Sequence, residues 1–119
     1  MIFYDFEVFK EDWLAVFIDV TKKKEYVIIN NPDELKALYE ANSKDIWVGY
    51  NNRHYDQYIM KGILLGMNPK RINDWIIVEK KEGWQFSSAF NKVPMINYDV
   101  MPNPPVGLKT LEELYHTKK

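Results

Sequence analysis

The opening run Met1-Ile2-Phe3-Tyr4-Asp5-Phe6-Glu7 sets two carboxylates, one residue apart, into an otherwise apolar stretch. Its aromatic and β-branched residues suit a pleated, half-buried surface and predict a β-strand. Successive side chains of a strand point to opposite faces, so Asp5 and Glu7 share one face while Tyr4, Phe6 and Val8 share the other. Two acids on one face repel each other unless water solvates them or a cation sits between them. Hard oxygen ligands of this kind suit Mg²⁺ or Mn²⁺. At this point the choice is between a metal-binding strand and an edge strand whose two charges simply point into water.

The pattern that follows predicts the rest of the architecture. Residues 2 to 9 form the first strand, residues 13 to 20 a second strand paired antiparallel to it, and residues 25 to 30 a third, making a meander with polar turns at residues 10 to 12 and 21 to 24. Asn31 is placed to cap a helix that has Pro32 at its first position, Asp33 and Glu34 in its first turn, and Leu35, Leu38 and Tyr39 as its apolar stripe. Residues 46 to 50 read as a fourth strand. Tyr55, Ile59 and Ile63 then recur at helical spacing, on a helix that carries Asp56 in its first turn and stops near Gly66. Asn68-Pro69 opens another helix with Ile72, Trp75 and Ile76 on one face.

The mixed-sign run at residues 79 to 82 reads as a solvated loop. Residues 84 to 91 fit either a short strand or a substrate-facing loop, residues 95 to 100 a fifth strand, and residues 107 to 115 a last helix after the breaks at Pro102, Pro104 and Pro105. The expected fold is α/β, with a mixed five-stranded sheet made of a three-stranded antiparallel meander plus two further strands, flanked by helices.

The segment Gly49-Tyr50-Asn51-Asn52-Arg53-His54-Tyr55-Asp56 places an aspartate just past the end of a strand and just inside a helix. Together with Asp5 and Glu7 it resembles the DnaQ-like 3′-to-5′ exonucleases, especially the exonuclease domains of phage-type DNA polymerases. Asp5 and Glu7 match the family's first motif, D-x-E on the first strand. Asn51 or Asn52 with Tyr55 and Asp56 match its second, N-x2-3-(F/Y)-D. The resemblance implies a ribonuclease H-like fold and two Mg²⁺ or Mn²⁺ ions held by acids, one helping to generate the attacking hydroxide and the other stabilising the leaving oxygen. It further implies Asp5, Glu7 and Asp56 as catalytic and metal-binding residues, and single-stranded DNA or a DNA 3′ end as substrate.

The family's third motif, Y-x3-D or H-x4-D on a late helix, has no match, since no aspartate follows Asp99. Two expectations follow from that departure. One is a piece of a longer protein, for example one with a polymerase domain. The other is a catalytically silent exonuclease-like module that binds a protein or nucleic-acid partner, such as a phage inhibitor of a host nucleic-acid machine.

Other residues enter as candidates. Asp99 ends the fifth strand and is either a further metal ligand or a carboxylate bonding nearby backbone amides. Arg53 suits bidentate contact with a phosphate, and Asn51 and Asn52 either bond a substrate strand or cap the helix of Asp56. His54 is the histidine nearest Asp56 and a candidate general base. Phe6, Phe9, Tyr55 and Trp84 are candidates for stacking on unpaired bases, although most aromatics must serve the core. Lys22-Lys23-Lys24 is a modest basic patch, and Glu112, Glu113 and His116 lie on or after the last helix.

Composition narrows the class. A chain of 119 residues suits one domain, and 46% hydrophobic with 15% aromatic residues suits a packed core. The 16 basic and 17 acidic residues leave a net charge of -1, so any contact with nucleic acid has to be local rather than driven by the whole-molecule field. There is no cysteine, which rules out disulfides and thiolate metal sites and agrees with a cytoplasmic location. No apolar run reaches membrane-spanning length.

Overall fold

The computed structural model describes residues 1–50 and 55–100, with the side chains of Tyr50 and Val100 left aside. Strands β1 (Ile2–Val8), β2 (Trp13–Asp19) and β3 (Lys24–Ile29) precede helix α1 (Pro32–Ala41) and strand β4 (Ile46–Tyr50). Helices α2 (Asp56–Leu64) and α3 (Pro69–Asn73) follow, α3 passing into a π-helical turn at Asp74–Val78. Two 3-10 turns, Gly83–Gln85 and Ser88–Lys92, lead to β5 (Ile96–Val100).

The five strands form one sheet in the order β3-β2-β1-β4-β5. The meander β1-β2-β3 is antiparallel, whereas β1-β4 and β4-β5 are parallel. The expected α/β architecture of a meander plus two further strands is therefore present, with three helices flanking the sheet.

Local chemistry accounts for the element ends. Asn31 caps α1 as expected, its Oδ1 accepting from the Glu34 backbone N–H at 3.1 Å, with Pro32 in the first turn where a missing N–H costs nothing. Helix α2 stops through a pair of reversed bonds. The Met67 N–H donates to the Gly62 carbonyl at 2.8 Å and the Gly66 N–H to the Ile63 carbonyl at 3.0 Å, while Gly66 takes φ +82°, a conformation open to glycine at no steric cost. Asn68 opens α3 by accepting from the Lys70 N–H at 2.9 Å. Residues 84 to 91, where strand and loop were both open, form 3-10 turns, with Ser87 capping the second through Ala89 N–H at 3.1 Å. The helix expected over residues 107 to 115, with Glu112, Glu113 and His116, lies outside the described residues.

Alternation sorts the sheet into two unlike faces. Ile2, Tyr4 and Phe6 of β1, Trp13, Ala15 and Phe17 of β2, Ile28 of β3 and Trp47 of β4 are buried in one core. Leu35 of α1, Ile59, Met60 and Ile63 of α2 and Ile72 of α3 pack into the same core. Trp47 lies at its centre, fully buried, meeting Tyr4 and Phe17 edge to face at 5.7 and 6.2 Å between ring centroids. Asp5 and Glu7 project from the opposite face, as period two requires, beside Val16 and Leu14 of β2.

Candidate functional site

The site is a place where two parallel strands part. Between β1 and β2 the register runs from Ile2↔Asp19 to Val8↔Trp13, but β1 meets β4 only at Ile2↔Trp47 and Phe3↔Val48. Beyond Phe3 no pair joins β1 to the described residues of β4, and the edge of β1 left unpaired on that side is termed the notch. Crevices at the carboxyl ends of parallel strands are where open α/β sheets bind ligands. Asp5 and Glu7 lie on this half of β1.

Asp56 enters the notch from the first position of α2. Its Oδ1 accepts a 3.1 Å hydrogen bond from the Phe6 backbone N–H, between Asp5 and Glu7, and the residue is 2% exposed. The second motif is thereby brought against the first across 50 residues of chain. Helix placement alone could not show that the carboxylate takes a backbone N–H of β1.

Electrostatics distinguish the members. Burial, and then the charge of Glu7, push the Asp5 carboxyl above the ordinary aspartate range, against a smaller lowering by the Phe6 N–H. The phenol of Tyr55 donates to Asn73 Oδ1 at 2.6 Å. Burial, and then the negative charges of Asp56, Asp5 and Asp74, hold that phenol in its protonated form. Tyr55 thus stands within the field of all three carboxylates.

Asp74 was not foreseen from the sequence. Its Oδ1 accepts from Lys70 Nζ at 2.7 Å and from Asn73 Nδ2 at 3.3 Å, so a polar chain runs Tyr55-Asn73-Asp74-Lys70. The four-residue spacing of Lys70 and Asp74 on a helix was the only available signal.

The raised Asp5 carboxyl has a measurable consequence. Folded Asp5 keeps its proton to higher pH than unfolded Asp5, so between the two pKa values the folded chain binds more protons and stability falls as pH rises. Asp5→Asn is expected to raise the melting temperature at neutral pH. The gain should vanish as pH drops below the ordinary aspartate range, where both chains carry a neutral side chain. A melting curve unmoved at neutral pH would show the carboxylate to be better solvated than its burial implies.

Other candidates separate. Phe6 is 3% exposed, with its ring against Tyr4, Trp13 and Phe17, so it is a core ring and not a stacking surface; its position on the Tyr4 face of β1 is what buries it. Phe9 and Trp84 are 52% and 61% exposed. Asp99 shares the parity of Asn97, which pairs with Trp47 and through it with Ile2, and so lies on the face opposite Asp5 and Glu7. That register does not group Asp99 with them. Lys22, Lys23 and Lys24 are exposed around the β2-β3 turn, where Lys23 takes φ +53°. Asn51, Asn52, Arg53 and His54 lie outside the described residues.

No protein-family model, characterised protein or solved structure matches this chain. Its chemistry therefore rests on its own residues. Asp5 and Glu7 offer hard oxygen donors on one face, and a cation would relieve the repulsion and burial that raise the Asp5 carboxyl. Asp56 gives one oxygen to the Phe6 N–H, and among the described residues no group of three or more His, Asp or Glu is spaced to hold a metal ion. Asp5 and Glu7 would supply only part of one cation's oxygen shell, and a two-ion centre would need further acids. No helix among the described residues is long and apolar enough to cross a membrane.

Proposed function

We propose that this chain is a DnaQ-like exonuclease domain of ribonuclease H-like fold that binds Mg²⁺ or Mn²⁺ and acts on the 3′ ends of DNA strands in the cytoplasm. The observation that carries the reading is the hydrogen bond from Phe6 N–H to Asp56, which sets the second acidic segment against the strand bearing Asp5 and Glu7. The sheet order, with an antiparallel meander followed outward by two parallel strands, is compatible with that fold.

In this reading Asp5 and Glu7 hold the cation and keep it at the mouth of the notch. A bound divalent ion supplies an acidified water and neutralises charge building on the phosphate. Asp56 holds the end of β1 in shape through one carboxylate oxygen and supplies its negative charge to the cation site, and the Tyr55 phenol, kept protonated, fixes α3 to α2 through Asn73.

A second reading has one observation in its favour. With an Asp56 oxygen committed to backbone and no three-acid group among the described residues, the scaffold would bind a strand or a protein partner without cleaving.

Degradation of a 3′-labelled single-stranded oligonucleotide in Mn²⁺ or Mg²⁺ tests the first reading. Asp5→Ala and Glu7→Ala are each expected to slow label release by about a hundredfold or more, because both would remove a metal ligand. Mn²⁺ should raise the melting temperature of the parent and not of Asp5→Ala, since only a folded site binds the ion. A parent chain that melts cooperatively, releases no label and gains nothing from Mn²⁺ would leave the binding scaffold as the function.

A further inference from the structure

A cleft of about 580 Å³ opens beside the β1-β2 turn, at the end of the strand that carries Asp5 and Glu7. This is within the size range of ligand sites. Phe9, Lys10, Trp13, Asn30, Asn68 and Lys70 contribute to its lining. Its shape is held by short bonds rather than by loose side chains. The Phe9 N–H donates to the Asp12 carbonyl at 2.7 Å, the Trp13 N–H to Asn30 Oδ1 at 2.8 Å, and Asn30 Nδ2 to Asp12 Oδ1 at 2.7 Å.

Those bonds also dispose of most of the charge. Asp12 is engaged by Asn30, and the Lys70 ammonium by Asp74. Lys10 and Glu11 remain exposed, and among the described residues no ion pair joins Lys10. Trp13 is 7% exposed and forms part of the floor, whereas the Phe9 ring is 52% exposed at the mouth.

From this arrangement we infer that the cleft receives an unpaired nucleotide, with the Phe9 ring as the surface on which its base stacks and the Lys10 ammonium as its phosphate contact. The inference rests on the strand-end reading above and adds the path by which the strand leaves the site. Phe9 follows Glu7 by two residues, which places the two at most about 7 Å apart along extended chain. One nucleic-acid strand can touch both. A free aromatic face holds bases of any sequence, and a single lysine supplies the local positive charge that a chain of net charge -1 lacks overall. Glu11 opposes the phosphate and sets a ceiling on affinity.

Fluorescence anisotropy of a labelled oligothymidylate of about ten nucleotides, in EDTA so that nothing is cleaved, tests the assignment. Phe9→Ala and Lys10→Glu are each expected to weaken binding about tenfold, and Glu11→Lys to strengthen it. Lys36→Glu makes the same charge change on α1, away from the cleft, and should bind like the parent. If the parent binds and Phe9→Ala and Lys10→Glu bind equally well, the cleft is not the path and the exonuclease reading survives. If the parent binds no oligonucleotide while remaining folded, strand binding is wrong for the notch and the cleft together.

Discussion

Replacing Trp47 with alanine is expected to lower stability by about 3–5 kcal/mol, the range for removing a large aromatic from a closed core. Trp47 is fully buried where β4 meets the helices. Its ring contacts Tyr4 and Phe17 edge to face and lies tilted against Tyr39 of α1 at 6.4 Å, so the substitution opens a cavity that several rigid rings cannot close. Its Nε1 also donates to the Asn42 carbonyl at 3.2 Å, tying the end of α1 to the strand. A domain of this size has about 5–15 kcal/mol in total, so the loss is a large share of what holds it folded. Urea denaturation measures it. Trp47→Phe should lose less, because a six-membered aromatic ring remains, although the smaller ring still leaves a cavity and the indole N–H bond to the Asn42 carbonyl is lost. A Trp47→Ala loss below about 1 kcal/mol would mean that the core packs without this ring.

Substitution of Asp56 should separate a structural role from a chemical one. Asp56→Ala leaves the Phe6 N–H without its acceptor in a site that is 2% exposed, which costs about 1–3 kcal/mol. Asp56→Asn keeps an oxygen in the same place and should recover most of that loss, because an amide oxygen accepts the same bond. Removing the charge without the acceptor then reads out chemistry alone. In the exonuclease reading Asp56→Asn stays folded and loses cleavage as fully as Asp56→Ala does. If Asp56→Asn melts with the parent and cleaves at its rate, the carboxylate serves only to hold the end of β1. Melting curves and label release on the same three proteins give both answers.

The helix that begins with Asp56 also shows where local signals suffice. Its end near Gly66 was legible because a glycine free to take positive φ closes a helix by bonding back to its last carbonyls. The start of α1 was legible for a similar reason, Asn31 and Pro32 being suited to the two positions they occupy. Residues 84 to 91 were not, because Trp84, Phe86 and Phe90 among small and polar residues satisfy strand and turn patterns equally, and the outcome depends on what Phe86 and Phe90 pack against. Phe6 as a base-stacking residue failed for want of one step. The alternation that put Asp5 and Glu7 on one face had already put Phe6 with Tyr4 on the other, and only the helices packed there show that this face is closed.

By itself the sequence determined the five strands and three α-helices over residues 1–50 and 55–100, the pairing of Asp5 with Glu7 on one face, and the place of Asp56 at the head of a helix. Hydrophobic period and end-capping chemistry act over a few residues, and both are written locally. Tertiary structure alone decided that β1 and β4 part after Phe3, that Asp56 gives an oxygen to the Phe6 N–H, that Asp99 falls on the far face, and that Asp74 joins Tyr55 through Asn73. Each of these depends on the register or approach of segments distant in the chain. Register has a parity that a single residue of slip would invert, and no local pattern carries it.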